Sequence, residues 1–154
     1  MLFLVITLQW LHVLGGIVWF GSSVTNHVVV VPAIKAQPAE TQAAWWHAFS
    51  MRYGRIIAIV AGLTVVLGIG RGLAGGVLSI LGSAYGVTWI ASLLIGVGLA
   101  FVGARLTGPT AARLGSASQD TSGVLQARLT TLGRVELGLF LVLFSLMIAM
   151  RFGY

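Results

Sequence analysis

No cysteine occurs among the 154 residues, which excludes disulfides, thiolate metal ligands and cysteine nucleophiles. Acids are nearly as scarce, three against nine Lys and Arg. Only one of them, Glu136, falls inside an apolar stretch, so no carboxylate pair is at hand for general acid and base work. The chain also lacks a phosphate-binding loop, a His-Glu-x-x-His pair and a Ser/His/Asp set within its apolar segments. Imidazole, thioether, carboxylate and backbone groups must carry any site, and an enzymatic activity would be that of a cofactor they hold.

What fills the chain instead is apolar: 58% of it is hydrophobic, too much for a soluble globular domain. Four stretches, 2–31, 53–74, 84–106 and 132–152, match the roughly 20 helical residues that cross a hydrocarbon core. The expected fold is therefore all-α, a single transmembrane domain over 1–154 built as a four-helix bundle in a lipid bilayer. No basic leader and no small-residue cleavage site mark the amino terminus, so the first span is expected to be retained. Pro32 is expected to stop that span. Residues 39–52 hold Trp45, Trp46, His47 and Phe49 and read as an interfacial segment with indoles at headgroup level. Glycines 75, 76 and 82 bracket a short turn, and 107–131 reads as a long polar connection, parts of which extend the third and fourth helices.

A net charge of +6 would point to nucleic acid in a soluble protein, but here the basic residues flank the spans. Lys35, Arg52, Arg55, Arg105, Arg113, Arg128 and Arg134 lie on one side, Arg71 and Arg151 on the other. The positive-inside rule then puts both termini outside a plasma membrane, with the two larger loops in the cytoplasm and no nucleic-acid partner.

Within the first span, His12, Gly16, Trp19, Ser23 and Asn26 follow a 4-3-4-3 spacing and share one stripe. A stripe of polar, small and aromatic groups on an aliphatic helix should face the bundle interior. His12 is the leading ligand candidate. Gly15 and Gly16 leave the helix surface beside it bare, either for a flat macrocycle or for the close approach of another helix. Met147 and Met150 on the last span share its depth, and imidazole with thioether suits haem iron or Cu(I). Arg71 lies at the same outer level, placed to pair with a propionate or to reach the headgroups.

His27 stands fifteen residues from His12, about 22 Å along a helix, so the two cannot share a metal. His27 and His47 could instead bracket one haem iron, or either could bond Glu136. For Glu136 the candidate partners are Arg134, Arg55 and His27, making either a charge-paired staple or a proton relay.

Leu11-His12-Val13, Val18-Trp19-Phe20-Gly21-Ser22, a proline beyond the first helix and Arg134-Val135-Glu136 opening the last resemble the superfamily of small bacterial membrane proteins with HemJ-type protoporphyrinogen oxidases and CopD-type copper proteins. The resemblance implies a haem b ligand at His12. Helix three of the HemJ-type enzymes carries a lysine important for activity. The corresponding stretch, Ile90-Ala91-Ser92-Leu93, has none, so the oxidase activity is not carried over. The expected function is a haem b-binding protein of the bacterial inner membrane, in electron transfer, in haem handling or within a respiratory complex, with Trp19 against the ring and Arg71 on a propionate. The alternatives are a cofactor-free accessory subunit of a larger membrane complex and a copper-handling protein using His12 with Met147 or Met150. A membrane redox partner and homo-oligomers belong to the same expectation.

Overall fold

The computed structural model describes residues 2–154, the side chain of Gln119 aside, and consists of four long helices joined by short connections. They are α1 (Leu2–Lys35), α2 (Ala39–Ala74), α3 (Ala84–Leu114) and α4 (Gln119–Arg151). All four are long and apolar enough to cross a membrane, and at most 17% of each apolar window is buried inside the bundle. The remaining apolar surface, such as Ile17, Val66, Leu94 and Leu141, faces outward, as it must where lipid is the solvent. The chain is a multi-pass membrane protein.

Neighbouring helices run antiparallel, α1 along α2 and α3 along α4. The termini and a 3₁₀ turn at Val77–Ile80 occupy one end, here the terminal end. Gly76 takes φ 79° to make that turn, a left-handed backbone favoured by glycine, and Ser83 Oγ accepts from the Gly86 N–H to start α3.

One expectation is corrected. Pro32 does not end α1. A π-helical turn at Thr25–Val30 precedes it, with the Val31 N–H bonded to the Asn26 carbonyl five residues back. A straight α-helix would drive the proline ring into the carbonyl four residues earlier, and the wider turn relieves that clash. The same device recurs in α3, where a π turn at Gly103–Thr107 precedes Pro109 and the Gly108 N–H bonds the Gly103 carbonyl. The polar stretch 107–131 extends the third and fourth helices and is helical apart from the turn around Gly115. Its helices pack against α1 and α2 beyond the most apolar section.

Residues 39–52 are the first turns of α2, and there Trp46 turns into the bundle. It is 1% exposed in a core cluster with Val31, Ile34, Leu114 and Leu129, while Trp45 points outward at 53%. Lys35 Nζ donating to Thr130 Oγ1 (2.8 Å) and Gln126 Nε2 donating to Gln42 Oε1 (2.9 Å) tie the rim of this cluster across helices. Leu129, 1% exposed, lies at its centre. Leu129→Ala is expected to cost about 2–5 kcal/mol, the range for cavity-forming core truncations, read as a lower midpoint of detergent denaturation.

A second cluster, Trp19, Ala61, Leu99 and Phe140, closes the middle of the bundle with one residue from each helix. Trp19 and Phe140 meet edge to face with centroids 5.1 Å apart. On the terminal side of this plate the helices diverge around a cavity, and on the other side lies a small polar cluster.

Candidate functional site

The cavity measures about 690 Å³ and is bounded by all four helices. His12, Gly16 and Trp19 of the predicted stripe line it from α1. Trp19, Ser23 and Asn26, further along the same stripe, are buried, so the spacing argument identified the inward face. Arg71 on α2 and Met147 and Met150 on α4 line the same space, which brings His12, Gly16, Trp19, Arg71, Met147 and Met150 together.

The geometry of His12 decides what the cavity can do. Its Nδ1 lies 2.9 Å from the Thr64 carbonyl oxygen. A carbonyl can only accept, so Nδ1 carries the proton and donates. The lone pair then sits on Nε2, which has no hydrogen-bond partner among the described residues. A backbone carbonyl that fixes the tautomer and aims the ring is the support that metal-binding imidazoles use.

The two readings of the glycine pair divide between its members. A Cβ on Gly15 would strike the Thr64 hydroxyl, so Gly15 serves the close approach of α2. Gly16 has nothing within 4 Å and leaves open the cavity wall beside His12. Opposite, Gly68 lies flat under the imidazole, where a Cβ would come within 2.8 Å of Cε1. Gly72 accommodates the Trp89 indole in the same way. Glycine, aromatic and thioether walls give a broad apolar slot with one free imidazole nitrogen.

Polar groups are confined to the mouth and to one wall. Arg71 Nε donates to Gln9 Oε1 (3.1 Å), and Arg71 and Arg151 both border the cavity. Ser92 lines the wall on α3 with a buried Oγ that has no protein partner. It belongs to the Ile90–Leu93 stretch in which the resemblance would place a lysine.

The other two histidines are placed apart from this cavity. His27 is buried, its side chain 7% exposed, with Nε2 3.2 Å from Glu136 Oε2 and its ring packed on Gly133. His47 is exposed, its backbone and Cβ against Gly115. His27 Nε2 is therefore engaged by Glu136. Among the described residues no cluster of three or more His, Cys, Asp or Glu side chains forms. Glu136, 6% exposed, takes His27 as its partner, and neither Arg134 nor Arg55 is paired with it.

Sequence reasoning passed over Thr64, Gln9 and Trp89 and did not single out Gly68 and Gly72 from the other glycines of the spans. None carries a local signal of its role, since Thr64 acts through its carbonyl and the glycines through the side chain they lack. Comparison with protein-family models, with characterised proteins and with solved structures returns no match.

Proposed function

We propose that the terminal-end cavity binds haem b, with His12 Nε2 as an axial ligand, and that the protein works in electron transfer or haem handling in the bacterial inner membrane. The reading rests on one observation, an imidazole held by the Thr64 carbonyl with its free nitrogen left to a large apolar cavity. At about 690 Å³ the space falls within the roughly 300–1,000 Å³ usual for cofactor and small-molecule sites. Gly16 and Gly68 leave flat surface beside the imidazole, Trp19 and Phe140 floor the site, and Met147 and Met150 offer a second soft ligand. Bound there, the group supplies one-electron chemistry at a potential set by its ligands and by burial.

The protein's own contributions are ligation, charge balance and exclusion of water. Arg71, oriented by Gln9, and Arg151 place two guanidiniums at the mouth, suited to carboxylate groups such as propionates. Arg71→Gln is expected to weaken haem binding about tenfold, about 1.4 kcal/mol, and to leave the spectrum of the loaded protein unchanged. Haem titration into apoprotein measures it. The seven basic residues at the Lys35 and Arg134 end support a cytoplasmic placement of that end, with both termini and the cavity toward the outside.

The test is an absorption spectrum of detergent-purified protein, oxidised and dithionite-reduced, with a pyridine haemochrome assay. A haem b signature near one per chain is the expected result. A colourless protein from haem-replete cells overturns the reading and favours the cofactor-free accessory subunit. The two thioethers that share the cavity with His12 would also suit Cu(I), although the cavity is far larger than a bare ion requires. Bound copper without haem absorbance would establish that alternative.

A further inference from the structure

Glu136 is the one acid within the apolar part of the bundle, and the function proposed above makes no use of it. Its two carboxylate oxygens are engaged by two other helices: Thr107 of α3 donates to Oε1, and His27 of α1 meets Oε2 at 3.2 Å. Tyr53 of α2 lies near enough to feel its charge, with the hydroxyl committed to the Ser22 carbonyl at 2.9 Å. No Lys or Arg pairs with it among the described residues.

Both groups that meet the carboxylate come from the π turns, His27 from Thr25–Val30 and Thr107 from Gly103–Thr107. The π turns that relieve the clashes of Pro32 and Pro109 thus bring groups from two helices to one acid on a third. Glu136 also stands one turn from Phe140 on α4, about 6 Å along the axis, and Phe140 with Trp19 floors the cavity. A cleft of about 440 Å³ between α1 and α2, lined in part by Ser22, Asn26 and Tyr53, reaches the same level from the side. Asn26, one residue before His27 in sequence, has its Oδ1 buried there without a protein partner.

With a neutral His27 the cluster carries a charge of −1, and with one added proton it is a neutral whole. Such a proton belongs to the pair and not to either member. We propose that Glu136 and His27 form a proton-exchange site that takes up one proton when the adjoining cavity gains one electron, and releases it when the electron leaves. The coupling rests on the haem reading, whereas proton exchange by the pair does not. The balance is simple: a one-electron reductant, in the experiment a mediated electrode, adds one negative charge above the Trp19–Phe140 plate, and one proton from water adds one positive charge below it. His12 and His27 stand about 22 Å apart along α1, a span over which charges in a low-dielectric interior still interact, so each arrival favours the other.

Two measurements on the full-length protein in lipid nanodiscs test this. Infrared difference spectra over roughly pH 5 to 8, the range in which imidazole titrates, should contain carboxyl or imidazole bands that vanish in Glu136→Gln and in His27→Gln and persist in His47→Gln. Glutamine keeps the size of Glu136 and an oxygen that accepts from Thr107, and retained helicity checks the fold. Identical pH difference spectra for wild type and both variants overturn the proton site. In the haem-loaded protein the midpoint potential should fall as the pH rises, by at most about 59 mV for each tenfold change in proton concentration, and Glu136→Gln should flatten that slope. A pH-independent potential in the wild type overturns the coupling. Protein that binds no haem overturns the proposed function alone, and the infrared comparison still decides the proton site.

Discussion

His12→Ala is expected to give a chain that inserts, folds and carries no haem b, the largest functional effect of any single substitution in this protein. The imidazole is the only histidine on the cavity, and its free Nε2 is the one nitrogen donor there held in place by the backbone. Alanine removes the ligand but takes nothing from the helix, since Ala is the best helix former. The Thr64 carbonyl loses one donor, a cost of about 1–3 kcal/mol at most. The stability change is therefore small beside the loss of cofactor. Soret absorbance per chain, normalised by pyridine haemochrome, measures it. Free imidazole added to the variant should restore part of the absorbance by entering the space the side chain left. A retained and unchanged Soret band would exclude His12 as the ligand.

Gly68→Leu is expected to reduce haem content more than tenfold with His12 still present. A Cβ at residue 68 would lie 2.8 Å from His12 Cε1 and 3.1 Å from Nδ1. Contacts that short force the ring to move, and the atoms displaced include the nitrogen that bonds Thr64. The imidazole would leave both its orienting partner and its ligating position. Gly62 on the same helix has nothing within 4 Å and does not line the cavity, so Gly62→Ala should leave haem content unchanged. Equal haem content in Gly68→Leu and wild type would mean that the observed ring position is not the binding one.

Local pattern carried part of the inner architecture. The 4-3-4-3 stripe is a property of one helix, set by a period of 3.6, and it led from His12 to Trp19, Ser23 and Asn26 without reference to any other helix. Depth matching of antiparallel spans brought Met147, Met150 and Arg71 to the level of His12 by rise per residue alone. The same argument placed His27 level with Glu136 but left three candidate partners, because it fixes height and not rotation about the helix axis. The structure selects His27, which lies within the π turn before Pro32. Proline in a sequence signals a clash with the preceding turn. Whether the helix ends or widens depends on whether packing holds the next residues, and here Val31 and Ile34 are held by Trp46, Leu114 and Leu129.

By itself the sequence determined the four spans, the basic bias of one end, the inward stripe of the first helix and the absence of thiol chemistry. Each follows from composition or from a single periodicity, and neither needs knowledge of a neighbour. Only the tertiary structure decided that Thr64 orients His12, that Gly68 lies beneath the ring, that Trp46 is core and that Glu136 answers to His27 and Thr107. These are relations between residues up to 109 positions apart, made by backbone carbonyls, missing side chains and helix rotation. Such groups have no residue-type signature along the chain, because what defines them is the space into which other helices bring them.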